Sequence, residues 1–205
     1  MMTKKRGQLI VFSGPSGVGK GTILAKYMEG RRDICYSVSA TTRSPRPGEV
    51  DGTHYFFWTK EKFEEMIAAG QMLEYAQYNG NYYGTPRQFV EEKLAAGMNV
   101  VLEIEVQGAA KVRAACPEGL FIFVLPPSFE VLRSRLTGRG TEDAATVQKR
   151  LDAALCELRQ AASYDYVIVN DDLDRAVEAL AAVVRADRCS VKFQKNLIEE
   201  VLEHA

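Results

Sequence analysis

No apolar run in this chain approaches the roughly 20 residues of a membrane-crossing helix, so no membrane span is expected. The basic start, Met1 to Arg6, is followed by only a short apolar run, too short for the core of a secretory signal. Charge of one sign is also lacking. The 26 basic and 27 acidic residues leave a formal net charge of −1, which gives no support for coating nucleic acid or lying on a membrane surface. The four cysteines, Cys35, Cys116, Cys156 and Cys189, show no C-x-x-C spacing. They read as free thiols of a reducing compartment rather than a metal site or disulfide frame, and a cytoplasmic protein is expected. Repeats and low-complexity tracts are absent too. A length of 205 residues suits one domain with insertions, residues 1–205.

What is present is concentrated in Gly14-Pro15-Ser16-Gly17-Val18-Gly19-Lys20-Gly21-Thr22. It follows the apolar run Leu9 to Phe12 and precedes a helical pattern with Ile23, Leu24, Tyr27 and Met28 on its apolar positions. Strand, glycine loop and helix form the setting of a phosphate-cradling P-loop. Glycines let successive backbone N–H groups converge on one anion, and the helix N-terminus adds its positive dipole end. Lys20 supplies a point charge for the outer phosphates. The strict motif has Ser or Thr directly after the lysine; this chain has Gly21, with Thr22 next.

Further along, Ser37 to Thr42 alternates and predicts a second strand. The run Arg43 to Gly52 holds two prolines and two glycines and is a loop. Tyr55 to Trp58 predicts a short strand, and Thr59 an N-cap of a helix through Ala69 that Gly70 stops. Met72 to Tyr78 with Asn79-Gly80 predicts a hairpin. Thr85-Pro86 predicts an N-cap followed by proline in the first turn of a helix to Ala96. Asn99 to Glu105 reads as a buried strand whose period of two puts Glu103 and Glu105 on one face. Those acids suit metal or water organisation beside the P-loop at the carboxyl end of a strand, in preference to one wet face of an edge strand. Strands near 8–12, 37–42, 99–105, 120–125 and 166–170, with helices between, predict an α/β doubly wound parallel sheet. The core is expected at 1–37, 86–130 and 160–205, with a small β-rich insertion at 38–85. Gly138-Arg139-Gly140, between two helices, suggests a hinged lid over 131–159.

A P-loop with a hinged arginine segment implies phosphoryl transfer, which needs the γ-phosphoryl group held in line and its charge matched by Lys, Arg and Mg²⁺. The insertion supplies phosphate-binding residue types, Arg43, Arg46, Tyr55 and Tyr83. It also supplies Glu74 together with the hydroxyls of Ser39 and Thr85.

Four segments carry a resemblance: Ser37 to Glu49, Gly80 to Thr85, Gly138 to Thr141 and Ile168 to Asp172. Taken in this order they resemble guanylate kinases of the bacterial type, from about residue 8 to 190. The resemblance implies transfer of the γ-phosphoryl group of ATP to GMP or dGMP, giving ADP and GDP for GTP supply. Gly14 to Thr22 would bind ATP, with Asn170 near its adenine. Arg43, Arg46, Tyr55 and Tyr83 would hold the GMP phosphate. Glu74, Ser39 and Thr85 would read guanine. Many members have Asp where this chain has Glu103 and Glu105, so their roles lie between a guanine amino contact and organisation of water or Mg²⁺. Catalytic charge would come from Lys20, Arg135, Arg139 and Arg150. Mg²⁺ would arrive with ATP, held by phosphates and waters, with Thr22 and Glu103 as candidate helpers. Lys20-Gly21-Thr22 resembles the loop ending of nucleoside monophosphate kinases. Closure of insertion and lid over both nucleotides is expected; whether the chain is a monomer or an oligomer is left open.

Two other readings compete. A P-loop kinase of a phosphorylated sugar would not need Glu74 with Ser39 and Thr85. A non-enzymatic module of the same shape would typically lack the loop glycines and lysine, which are intact at Gly14, Gly19 and Lys20.

Overall fold

A computed structural model of the chain describes residues 6–137 and 144–203. The order begins with β1 (Leu9–Ser13), α1 (Lys20–Met28), β2 (Ile34–Tyr36), β3 (Ala40–Thr41), β4 (Phe56–Phe57), α2 (Lys60–Ala68), β5 (Met72–Tyr78) and β6 (Asn81–Pro86). It continues with α3 (Arg87–Ala95), β7 (Asn99–Glu103), α4 (Val106–Ala115), β8 (Leu120–Leu125), α5 (Phe129–Thr137) and α6 (Ala144–Leu158). A short 3₁₀ turn, Ala161–Ser163, precedes β9 (Tyr166–Val169), α7 (Leu173–Asp187) and α8 (Val191–Glu203). Strands β2-β7-β1-β8-β9 form one sheet in that order, with β2–β7 and β8–β9 parallel, and β4-β3-β6-β5 form a second. The α/β architecture with a five-stranded parallel sheet is the expected one. β1 is buried along its whole length, the continuous apolar pattern of a strand covered on both faces.

The chain divides into two compact units. One comprises the residues up to Ile10 with Arg32–Pro117; the other comprises Val11–Arg31 with the residues from Glu118 onward. In the first unit α2 packs Phe63 onto Ala40 and Met72, with Phe56, Trp58 and Tyr82 around them. Thr59 caps α2 as expected, its hydroxyl accepting the Lys62 N–H at 3.2 Å. Asn79 and Gly80 both take positive φ, 47° and 77°, as a two-residue I′ hairpin requires. In the second unit Leu132, Leu136, Leu151 and Ala154 pack α5 on α6.

Three expectations are corrected. Of the strand expected at 37–42 only Ala40–Thr41 forms, in the second sheet, and the strand of the five-stranded sheet lies earlier, at Ile34–Tyr36. The chain pairs with β7 only through Tyr36, and re-enters the second sheet at Ala40, opposite Gly84. The strand expected to reach Glu105 ends at Glu103, because Glu105 is already the N-cap of α4, with φ −73° and ψ 162°. Glu103 and Glu105 therefore do not share a strand face. Thr85 is not a helix cap: Pro86 takes that position, and the Thr85 hydroxyl bonds elsewhere.

Candidate active site

The anion-binding loop lies wholly in the second unit. Gly14, Gly17 and Gly19 have φ of 151°, 81° and 97°, values that a side chain disfavours. Gly19 is the N-cap residue of α1, whose first turn has neither a side-chain cap nor an acidic residue. Its N–H groups and dipole end suit an anion. Lys20 folds over the loop, its Nζ donating to the Gly14 carbonyl at 2.6 Å and the Pro15 carbonyl at 3.3 Å. Pro15 is buried and Ser16 exposed beside it.

Arginines and an asparagine brace this loop. Asn170, buried at the end of β9, donates its amide to the Val18 carbonyl at 2.7 Å. Arg135 on α5 donates to the same carbonyl at 3.3 Å and to the Asn170 carbonyl at 3.1 Å. Arg150 on α6 donates to the Ser16 hydroxyl at 2.9 Å. Arg139 lies outside the described residues. Gly21 and Thr22 are exposed, and Thr22 lines a groove with Ala25, Lys26, Glu29 and Leu173.

A methyl group at Gly19 would sit 2.4 Å from the Asn170 amide nitrogen. Gly19→Ala therefore combines a left-handed backbone with displacement of a buried hydrogen bond. The expected destabilisation is about 2–4 kcal/mol, which thermal denaturation measures.

The residues expected to hold the acceptor lie in the first unit. The β5–β6 register slips between Met72 and Glu74, so Leu73 is an extra residue and Met72, Leu73 and Glu74 are buried in succession. Such a bulge re-aims a side chain. Here it sets Glu74 opposite Thr85, whose hydroxyl donates to Glu74 Oε1 at 2.7 Å. Ala40 pairs with Gly84 in antiparallel sense, so extending that register by one residue puts Ser39 opposite Thr85. The three guanine-reading candidates thus form a row across the second sheet. Gly84 makes the bulge possible, since a Cβ there would meet the Glu74 carbonyl at 2.5 Å.

Helix α4 closes over this carboxylate. A Cβ on Gly108 would lie 3.3 Å from Glu74 Oε2. One turn on, Lys111 donates to the Tyr75 carbonyl at 2.5 Å. Burial raises the Glu74 pKa, while the Thr85 hydroxyl and the Lys111 charge oppose the rise and Glu105 adds to it. Glu103 and Glu105 are exposed. Arg43 lies over the Tyr55 ring at 5.2 Å, and Tyr55 meets Tyr83 edge-on at 6.2 Å. Arg46 is exposed and engages the same loop through its backbone N–H.

The guanylate kinase family model matches residues 6–187. The chain belongs to the guanylate kinase family. It is 51% identical over 199 residues to a guanylate kinase of Halalkalibacterium halodurans, covering 97% of this chain and 96% of that one. A Lactococcus lactis guanylate kinase is 53% identical over 188 residues, 92% of each chain. The crystal structure of guanylate kinase from Anaplasma phagocytophilum superposes with a TM-score of 0.73 at 34% identity, over 97% of this chain and 95% of that chain. In this guanylate kinase, sequence reasoning missed Gly108, Lys111 and the bulge at Leu73. Gly84 inside a strand pattern was the available signal for the bulge.

Proposed function

We propose that this chain transfers the γ-phosphoryl group of ATP to GMP, with Glu74 as the reader of guanine. The observation that carries the reading is the buried Glu74 carboxylate, with one oxygen bonded to Thr85 and the other facing Gly108, where only a hydrogen stands. Guanine offers two adjacent donors, N1–H and the 2-amino group, and a carboxylate matches both. Adenine presents a bare N1 lone pair and would leave that carboxylate unpaired. Ser39 would donate its hydroxyl to O6, and Thr85, whose single hydroxyl hydrogen goes to Glu74, would donate to O6 only by turning that hydrogen away from the carboxylate. Arg43, Arg46, Tyr55 and Tyr83 would hold the acceptor phosphate, for which Arg is suited by its planar fork.

On the donor side, the backbone of Gly14 to Thr22 would wrap the ATP phosphates and Lys20 would contact the outer ones. Arg135 and Asn170, through the Val18 carbonyl, would hold the loop in its binding shape, and Arg150 and Arg139 would add charge near the transferred group. Mg²⁺, bound with ATP, would supply positive charge that offsets the charge of the phosphates. Among the described residues no group of three or more His, Cys, Asp or Glu converges to hold a metal. A cation carried mainly by phosphates and water would need few ligands from the chain, because Mg²⁺ keeps most of its water shell. Thr22, exposed just after the loop lysine, would be a candidate to contact that water shell.

A coupled assay with ATP, Mg²⁺ and each of GMP, dGMP, AMP, UMP and CMP tests the reading. GMP and dGMP should turn over, with AMP disfavoured by about 10⁴ in kcat/KM. Absence of ADP formation with GMP refutes it.

A further inference from the structure

Arg43 is bound by a partner that neither the phosphate site nor the guanine site accounts for. Arg46-Pro47-Gly48-Glu49 forms a tight turn, with the Glu49 N–H donating to the Arg46 carbonyl at 3.0 Å and Gly48 at φ 85°. Proline second and a positive-φ glycine third is a type II turn. The turn sends the Glu49 side chain back over its own start. Oε2 accepts the Arg46 N–H at 2.7 Å and Arg43 NH1 at 2.6 Å, and Oε1 accepts Arg43 NH2 at 2.6 Å. Both side chains are largely buried, 13% and 19% exposed.

We propose that Glu49 is a positioning residue for the acceptor phosphate, acting through Arg43. The hydrogen count of the guanidinium decides between holding and blocking. Glu49 takes the edge between NH1 and NH2, and the second NH1 hydrogen goes to the Ser44 carbonyl at 2.9 Å. Nε–H and the second NH2 hydrogen remain. These lie along the adjacent edge of the fork, which is itself a bidentate phosphate site. Tyr55 and Phe57, at 5.2 and 5.6 Å from the guanidinium carbon, fix the plane. Glu49 thus fixes the rotation of a side chain that otherwise loses considerable rotamer freedom on binding, and leaves the phosphate-binding edge open. Pairing with Arg43 holds the Glu49 carboxyl down at about 2, so the clamp stays charged throughout the working range.

The proposal rests on Arg43 holding the acceptor phosphate, so the test separates the two. Steady-state kinetics would compare wild type with Glu49→Gln, Arg43→Ala and the double variant, varying GMP and ATP independently. Glu49→Gln should raise the GMP KM about tenfold, leave the ATP KM and the kcat at saturating GMP within about twofold, and have no further effect in the Arg43→Ala background. Glu49→Asp, too short to span both nitrogens, should shift the GMP KM in the same direction and covers the case in which the Gln variant folds poorly. An unchanged or lowered GMP KM in the Glu49 variants, with Arg43→Ala still impaired, overturns the Glu49 proposal alone. An undiminished Glu49→Gln effect in the Arg43→Ala background also overturns it, because the role is then structural. A normal GMP KM in Arg43→Ala removes the phosphate reading and the proposal with it.

Discussion

Lys20→Ala should lower kcat/KM for ATP by about 10³, while GMP binding and the folded structure persist. Lys20 is the first residue of α1 and is half-buried, with its ammonium resting on the Gly14 and Pro15 carbonyls. Removing it leaves those two carbonyls beside exposed Ser16, where water can replace the ammonium. The stability cost should therefore be small, about 1 kcal/mol or less. Its absence in the transition state is another matter. A phosphoryl group in transfer spreads charge over its oxygens, and a fixed cation at that point contributes about 4 kcal/mol, or about 10³ in rate. Lys20→Arg should not rescue it, because a planar fork replaces a compact point charge in a loop shaped by three positive-φ glycines. Single-turnover rates with saturating ATP, alongside calorimetric GMP titration, separate the two effects. A Lys20→Ala rate within tenfold of wild type would remove Lys20 from the chemistry.

The parts of the fold that are local in origin could be read from the sequence. The glycine loop and α1, the Thr59 cap and the Asn79-Gly80 hairpin each depend on residues within a few positions of one another, and each is found where expected. The misreadings involve partners far apart in sequence. The alternation of Ser37 to Thr42 says that the chain is extended, not that Tyr36 faces Val101 while Ala40 faces Gly84. The Thr85 hydroxyl had two outlets, the α3 backbone or Glu74, and the register of β5 with β6 decides for Glu74. Glu105 sits where a strand pattern and a helix start overlap, and the α4 N-terminus prevails. The candidate residues Arg43, Tyr55, Tyr83, Glu74 and Thr85 could be proposed by residue type. What holds them in place could not: Gly108, Lys111 and Glu49 are a glycine, a lysine and a glutamate of ordinary appearance until the fold brings them to their targets.

Glu74→Gln should cost about 10²–10³ in kcat/KM for GMP and compress the preference for GMP over AMP. The amide keeps the shape and can still accept from the Thr85 hydroxyl. Toward guanine it offers one acceptor and one donor, so one of the two guanine donors meets an N–H in a buried site; a required hydrogen bond is lost and a buried donor left unpaired. Stability should move the other way. Burial raises the Glu74 pKa. A carboxyl raised on folding contributes its stability in full below the unfolded-state pKa and loses it as pH rises through the folded-state value. The wild type thus loses stability with rising pH that Gln keeps, so the melting-temperature difference should move in favour of the variant as pH rises and fade toward acid pH. On the proposed reading GMP would bind the ionised form, so acidification should raise the wild-type GMP KM more steeply than that of Glu74→Gln. The GMP phosphate titrates in both proteins and cancels in the comparison. Parallel pH profiles, or a variant retaining the wild-type GMP to AMP ratio within threefold, would place guanine recognition elsewhere in the first unit.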